Sequence, residues 1–284
     1  MDITLVLLAA GIGSRYGGPK QLERFGPDRR TLVEYALHEA CRYGIRRAVC
    51  VVGRQHRESL MELLANVQAR MAIEFCIQEP EDLPAGAVSR RSPTLGTAHA
   101  LFSARHLLDG PFLTANGDDF YGPTAWRDLM AAVRSAPDSS QLLAYRLAAT
   151  LSPNGPVSRG ICSVKNGKLL NIEEVHKIRM ENEKILSGEK NRPLGDSTPT
   201  AMNFFYLQQN FLPLLEADGA RFFASDRPAE EWGLPQAISR SVALGALQVK
   251  VRLTDSPWVG VTYPSDRAAV EMAVRSVDAV RKNS

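Results

Sequence analysis

Short apolar runs alternate with amphipathic stretches along the first half of the chain. Thr4–Ala9 is an almost unbroken apolar run, which reads as a strand buried on both faces. Leu32–Tyr43 carries Val33, Ala36, Leu37, Ala40 and Cys41 on one helical face. The same alternation predicts strands at Ala48–Val52, Ile73–Gln78 and Pro111–Asn116, and helices over Glu58–Ala69 and Thr97–Leu108. Buried strands separated by helices predict an α/β fold, Rossmann-like, with a mostly parallel sheet and helices on both faces.

The second half changes character. Strand patterns at Gln141–Arg146, Gly160–Val164, Lys168–Ile172, Ala201–Leu207 and Gln248–Leu253 are separated by longer polar connections. Asn166-Gly167 between two of them is a hairpin signal. Glu181–Thr200, charged and containing Gly and Pro, predicts a mobile loop or lid, and Arg267–Val280 predicts a closing helix. No repeat, low-complexity tract or linker interrupts the pattern. Residues 1–284 therefore read as one domain whose second half is a mixed β extension.

Composition narrows the classes. With 284 residues, 44% hydrophobic and 23% charged, the chain can bury a core, which excludes disorder over most of its length. Lys+Arg 34 against Asp+Glu 31 gives a net +3, too mild for a surface that coats nucleic acid. Cys41, Cys50, Cys76 and Cys162 form no CxxC pair and have no His at metal spacing, so they read as free thiols in a reducing cytoplasm. The apolar run Ile3 to Ala10 has no basic flank and falls far short of the about twenty residues of a membrane span. A cytoplasmic protein with no membrane partner is expected.

The candidate chemistry begins after the first strand, in Leu8-Ala9-Ala10-Gly11-Ile12-Gly13-Ser14-Arg15, continuing through Pro19-Lys20-Gln21. Glycines directly after a buried strand let backbone N–H groups approach phosphate oxygens. Tyr16 stands where a dinucleotide fingerprint needs its third glycine, and Gly18 is not followed by the Lys-Ser/Thr of a Walker A loop. A phosphate loop with two cations, Arg15 and Lys20, remains. Further along, Leu113–Asn116 runs into Gly117-Asp118-Asp119, which places a carboxylate at the carboxyl end of a buried strand.

These segments resemble the signature of the nucleotidyltransferases that make nucleotide-activated sugars and alcohols, whose usual form is LAAGxGxRM followed by PK and a polar residue. The resemblance extends through Gly96-Thr97-Ala98-His99-Ala100, through Arg159-Gly160-Ile161 with Ile172-Glu173-Glu174, and through Ala201-Met202-Asn203 to Trp258-Val259-Gly260. It implies that residues 1–135 form a nucleotide-binding half and 136–284 an acceptor-binding half. Ala9, Ala10, Gly11, Gly13, Gln78, Gly96 and Thr97 would then contact the nucleoside triphosphate. Arg15, Lys20 and Asp118 would be the catalytic residues, with Asp118 holding Mg²⁺. Gly160, Glu173, Glu174, Lys177 and Asn203 would hold a small phosphorylated acceptor. Val175-His176-Lys177 replaces the family's Lys-Pro after the Glu, so Lys177 or His176 is placed for the acceptor phosphate. The second metal ligand stays open: Gly260 or Thr262 occupies its position, and Asp255 nearby is a candidate.

The expected reaction is transfer of a nucleoside monophosphate to a sugar 1-phosphate or to a cyclitol or polyol phosphate, releasing pyrophosphate. The rival readings are a cytidylyltransferase for a non-sugar alcohol phosphate and a catalytically silent nucleotide-binding regulator. Strand alternation over residues 203–206 puts Phe205 on the face of Asn203 and sends Phe204 and Tyr206 to the other. A pocket with one aromatic ring suits a polyol phosphate better than phosphocholine.

Overall fold

The computed structural model describes residues 2–11, 20–85, 87, 95–188, 191–225, 230–261 and 264–282. The first half contains β1 (Thr4–Ala9), α1 (Leu32–Arg42), β2 (Arg47–Val52), α2 (Arg57–Gln68), β3 (Ala72–Ile77), α3 (Thr97–Ser103) and β4 (Phe112–Asn116). Next come β5 (Asp119–Phe120), α4 (Ala125–Ser135), β6 (Ser140–Arg146), β7 (Val157–Lys165), β8 (Lys168–Glu181), β9 (Lys184–Leu186) and β10 (Pro193–Leu194). The chain closes with β11 (Pro199–Leu207), α5 (Phe211–Ala224), α6 (Leu234–Ala243), β12 (Val249–Thr254), β13 (Val259–Gly260) and α7 (Arg267–Lys282). No helix among the described residues is long and apolar enough to cross a membrane.

β1 pairs in parallel with both β2 and β4, and β2 pairs in parallel with β3. β11 then enters antiparallel between β4 and β6, while β6 and β12 are parallel. The expectation of a mostly parallel sheet therefore holds for the first half only. The 11-stranded sheet as a whole is mixed.

The apolar alternation of β1 explains the layering. Leu5, Leu7 and Ala9 enter one core with Val33, Leu37, Leu60, Trp126 and Phe204. Val6 and Leu8 enter a second core with Phe102, Phe205, Leu215, Trp232 and Ile238. Thus α1, α2 and α4 cover one face, and α3, α5 and α6 the other. The sequence pattern left α4, α5 and α6 unassigned. Pro213 and Gly219 interrupt the helical signal of α5, yet Gly219 is what lets that helix lie against the Trp232 ring, which a Cβ there would meet at 2.4 Å.

Two further differences arise in the extension. The segment expected as a lid, Glu181–Thr200, instead contains paired strands: β9 lies antiparallel to β8 and β10 antiparallel to β9. β8 is also much longer than its sequence pattern, because Leu169, Ile172, Val175 and Ile178 are buried at a spacing of three rather than two. Register shifts between β7 and β8 absorb the mismatch. They let Leu169 and Ile172 join the second core while Val175 and Ile178 join a separate cluster with Leu147 and Val157. The Asn166-Gly167 hairpin turn forms as expected, with φ of 52° and 71°.

α1 starts with a capping box. The Thr31 hydroxyl accepts from the Glu34 amide at 3.2 Å, and the Glu34 carboxylate accepts from the Thr31 amide at 2.8 Å. Thr31→Ala should lower the unfolding free energy by about 1 kcal/mol, read from the urea midpoint. An unchanged midpoint would show that the box contributes nothing to this helix.

Candidate active site

The site is built where β1 and β4 end side by side, with Leu8 opposite Asn116. The Gly117 amide donates to the Leu8 carbonyl at 2.9 Å. A Cβ at Gly117 would lie 2.7 Å from the Ala9 Cβ, so only glycine lets the chain turn here and bring Asp118 to the rim. Ala9 is buried, Ala10 half-buried and Gly11 exposed at the end of β1. The Gln21 side-chain amide donates to the Gly11 carbonyl at 2.8 Å and ties the two ends of the glycine-rich loop together. Gly13 and Arg15 lie outside the described residues. For Lys20 the structure describes the backbone, which opens a short 3₁₀ turn, Lys20–Leu22.

Asn203 arrives at the same point from β11. It occupies a register shift in its pairing with β6 and has a φ of +55°, a left-handed conformation that Asn tolerates better than most residues. Its amide donates to the Asn116 Oδ1 at 3.0 Å, and the Asn116 amide donates to the Asp119 carboxylate at 2.7 Å. Asp119 is buried, whereas Asp118 keeps an accessible side. The Asn203 Oδ1 is buried and has no hydrogen-bond partner among the described residues.

These groups form one end of a cleft of about 660 Å³ that is also lined by Thr97, Arg159, Gly160, Glu174, His176 and Trp258. The Arg159 guanidinium lies over the Trp258 ring, 4.7 Å from its centroid. Its Nε donates to the Thr150 carbonyl at 3.1 Å and its Nη1 to the Ser158 carbonyl at 2.9 Å. Desolvation pushes its pKa down to about 10, partly offset by the charges of Asp119, Glu174 and Asp266, so it stays a cation at neutral pH. Glu174 accepts from the Gln236 amide at 2.9 Å, and desolvation raises its pKa. His176 Nδ1 and the Ser158 hydroxyl are 3.0 Å apart.

Gln78 and Gly96 are also brought together. The Gln78 Nε2 donates to the Gly96 carbonyl at 3.0 Å and lies 3.2 Å from His99 Nδ1. A carbonyl only accepts, so this contact orients the Gln78 amide and makes His99 Nδ1 the acceptor. His99 is fully buried, and burial holds its pKa below the usual imidazole value. The Thr97 hydroxyl accepts from the Leu234 amide at the start of α6.

Three residues expected at the acceptor or metal do not line the cleft. Glu173 projects from β8 on the face opposite Glu174 and pairs with Arg192 at 3.4 Å. Lys177 is exposed with a φ of +53°, within the register shift that separates the Val157–Ile178 and Arg159–Val175 pairs; His176 reaches the cleft instead. Asp255 points outward, its side chain 82% exposed, and pairs with Arg146 at 2.7 Å. Gly260 pairs with Asp119 across β13 and β5, and a Cβ there would meet both the Trp258 ring at 2.6 Å and the Asp119 carboxylate at 2.9 Å. Thr262 lies outside the described residues. Phe205 is also displaced from its expected place: it sits opposite Thr114, two residues inside the end of β4, and is fully buried in the second core.

The residues that sequence reasoning passed over are Arg159, Trp258, Asn116 and Gln236. Asn116 stands immediately before Gly117-Asp118 and was legible there. Gln236 belongs to α6, whose helical spacing of Leu234, Ala237, Ile238 and Ser241 was the signal that could have found it.

Solved structures of the same fold cover nearly the whole chain. A protein assigned as a glucose-1-phosphate thymidylyltransferase from Bacillus anthracis, in complex with sucrose, superposes with a TM-score of 0.68 at 12% identity, over 97% of this chain and 96% of that one. The inositol-1-phosphate CTP transferase from T. maritima gives 0.67 at 18% identity, over 96% of each chain. A UDP-glucose pyrophosphorylase complexed with UDP-glucose gives 0.62 at 16% identity, over the full length of both. No curated protein matches by sequence. The fold is thus that of the nucleotidyltransferases. Residues 5–149 match the MobA-like NTP transferase domain, and the chain belongs to that family.

The buried His99 has a consequence for pH. It is neutral in the fold, while the unfolded chain takes up its proton near pH about 6.5. Below that value unfolding binds a proton, so stability falls as pH drops toward the lowered folded pKa. His99→Gln should flatten this loss, measured as the change in urea midpoint between pH 7.5 and 5.5. Equal losses in both proteins would assign the effect to other groups.

Proposed function

We propose that the chain transfers a nucleoside monophosphate from a nucleoside triphosphate to a phosphorylated sugar or cyclitol and releases pyrophosphate. The observation that carries this reading is the cleft in which Asp118, Asn116 and Asn203 share one space with Arg159, Glu174 and His176. Residues 1–135 supply the nucleotide side and residues 136–284 the acceptor side. A phosphate oxygen of the acceptor attacks the α-phosphorus, and the bond from that phosphorus to the bridging oxygen breaks. The attacking phosphate is already ionised, so no general base is required. Positioning and charge stabilisation then account for the rate, with Arg15 and Lys20 offsetting charge on the departing pyrophosphate.

The donors at the end of β4 suit Mg²⁺. Asp118, beside Asp119 and the unpartnered Asn203 Oδ1, offers hard oxygen atoms. Among the described residues no group of three His, Cys, Asp or Glu gathers to form an all-protein cage. Mg²⁺ commonly takes one or two carboxylates and completes its shell with phosphate and water oxygens. Asp118 would hold it, with Asp119 and Asn203 close by, and when bound it supplies positive charge against the triphosphate.

The acceptor side favours hydroxyl groups. Glu174, Gln236, His176 and Ser158 can exchange hydrogen bonds with a polyol. Trp258 is the only Phe, Tyr or Trp lining the cleft among the described residues, and Arg159 covers its face. That leaves no aromatic cage for a quaternary ammonium. The names of the three solved neighbours, which point to glucose 1-phosphate, inositol 1-phosphate and UDP-glucose, agree with a phosphorylated polyol.

Pyrophosphate release should be screened with the four common triphosphates against sugar, cyclitol and polyol phosphates and phosphocholine. Turnover with a sugar or cyclitol phosphate is expected. Preference for phosphocholine would promote the cytidylyltransferase reading, and triphosphate binding without release on any acceptor would promote the silent regulator. Asp118→Ala should abolish metal-dependent turnover in a folded protein, and wild-type turnover in that variant would remove Asp118 from the site. Lys20→Ala should lower kcat by about a hundredfold or more while changing triphosphate KM little. A raised KM at unchanged kcat would make Lys20 a binding residue only.

A further inference from the structure

We propose that Arg159 is the anion anchor of the cleft and that its ligand is the phosphate monoester of the acceptor. The proposal rests on the transfer reading only for calling that monoester the acceptor.

The arginine is held entirely by neutral groups. Nε and Nη2 donate to the Thr150 carbonyl, Nη1 donates to the Ser158 carbonyl, and the Trp258 ring supports one face. No carboxylate forms an ion pair with it among the described residues. A guanidinium has five N–H donors, and these contacts use three, leaving one on each terminal nitrogen. Pinned on one face and at its base, the group keeps a fork in the geometry that receives two phosphate oxygens at once. The backbone carbonyls fix its position without neutralising its charge. That is the arrangement of a binding site rather than of a structural ion pair.

Its place in the cleft selects the phosphate. The Trp258 ring beneath the guanidinium also packs on Gly260, whose backbone pairs with Asp119. An anion on Arg159 therefore shares the cleft with the acidic end of β4, where the attacking phosphate oxygen has to be. The neighbours on the other side are Glu174 with Gln236 and His176 with Ser158, which suit the hydroxyls carried by the same monoester. Of the residues expected to contact the nucleobase, Thr97 lines the same cleft, whereas Gln78 and Gly96 do not. Lys177, expected from sequence to do this work, is turned out of the cleft.

Trp258 supplies the readout. Trp126 and Trp232 are sealed in the two cores, so the indole that touches the cleft is Trp258. Full-length protein should be titrated with inorganic phosphate, glucose 1-phosphate and glucose while tryptophan fluorescence is followed, with Trp258→Phe as the reporter control. The two phosphates should give a saturable change and glucose none. Arg159→Met should weaken phosphate binding by about ten- to a hundredfold, and Arg159→Lys by less. Triphosphate binding, followed by equilibrium dialysis, should change less than about twofold in both.

Unchanged phosphate affinity in Arg159→Met overturns the proposal, as does an absence of phosphate binding in the wild type. An equal loss of triphosphate affinity also overturns it, by assigning Arg159 to the nucleotide. If Arg159→Met does not fold, Arg159→Lys decides: weaker phosphate binding with intact triphosphate binding supports the anchor, and wild-type phosphate affinity overturns it. Phosphate binding that depends on Arg159 but occurs without pyrophosphate release on any acceptor would sink the transfer reading and leave the anchor standing.

Discussion

One phenolic hydroxyl joins the two halves of this molecule at the point where the chemistry is placed. Tyr121 accepts from the Asn116 amide at 2.7 Å and donates to the Met202 carbonyl at 3.0 Å. It therefore links the last residue of β4 to β11, next to the register shift that carries Asn203. Left unmet, those buried backbone groups would each cost about 1–3 kcal/mol. Tyr145 donates in turn to the Tyr121 carbonyl at 2.8 Å. Burial, with help from Asp119, raises both phenol pKa values well above their ordinary range, so both remain donors.

From this joint the rest of the site follows. β4 is parallel to β1, and both strands end at the same edge, where open α/β sheets bind ligands. β11 runs the other way and meets that edge with Asn203, near its middle. The chain of amides from Asn203 through Asn116 to Asp119 holds the acidic end in one geometry. Opposite it, β7 brings Arg159 and β8 brings Glu174, paired through the Arg159–Val175 and Gly160–Glu174 register. Arg159 and the aspartates at the end of β4 thus come from different halves and meet only in the folded chain.

The electrostatics are arranged by backbone as much as by charge. Arg159 sits among carbonyls and an indole face, and its acidic neighbours act on it from beyond ion-pair distance. In a low-dielectric cleft an unpaired cation interacts strongly with an arriving anion. The ion pairs that do close, such as Arg192 with Glu173 and Arg146 with Asp255, lie on exposed surface and contribute little. Glu173, expected at the acceptor, and Asp255, a candidate metal ligand, are the carboxylates of these two pairs.

Local pattern determined a good deal. The apolar runs specified β1 to β4, the helical spacing of Val33, Ala36, Leu37 and Ala40 specified α1, and Asn166-Gly167 specified its hairpin, because each depends on residues within a few positions of one another. The glycine-rich turn and Gly117-Asp118 were legible for the same reason: a strand end and a required glycine are local features. What tertiary structure decided was which polar side chains of the second half face inward. Along β8 and β11 that choice depends on register against another strand, and a single shift moves every later side chain to the opposite face. Glu173, Lys177 and Phe205 were misplaced by that rule, whereas Arg159 on β7 and Trp258 just before β13 were found only in the folded chain, since no spacing within their own segments records what they pack against.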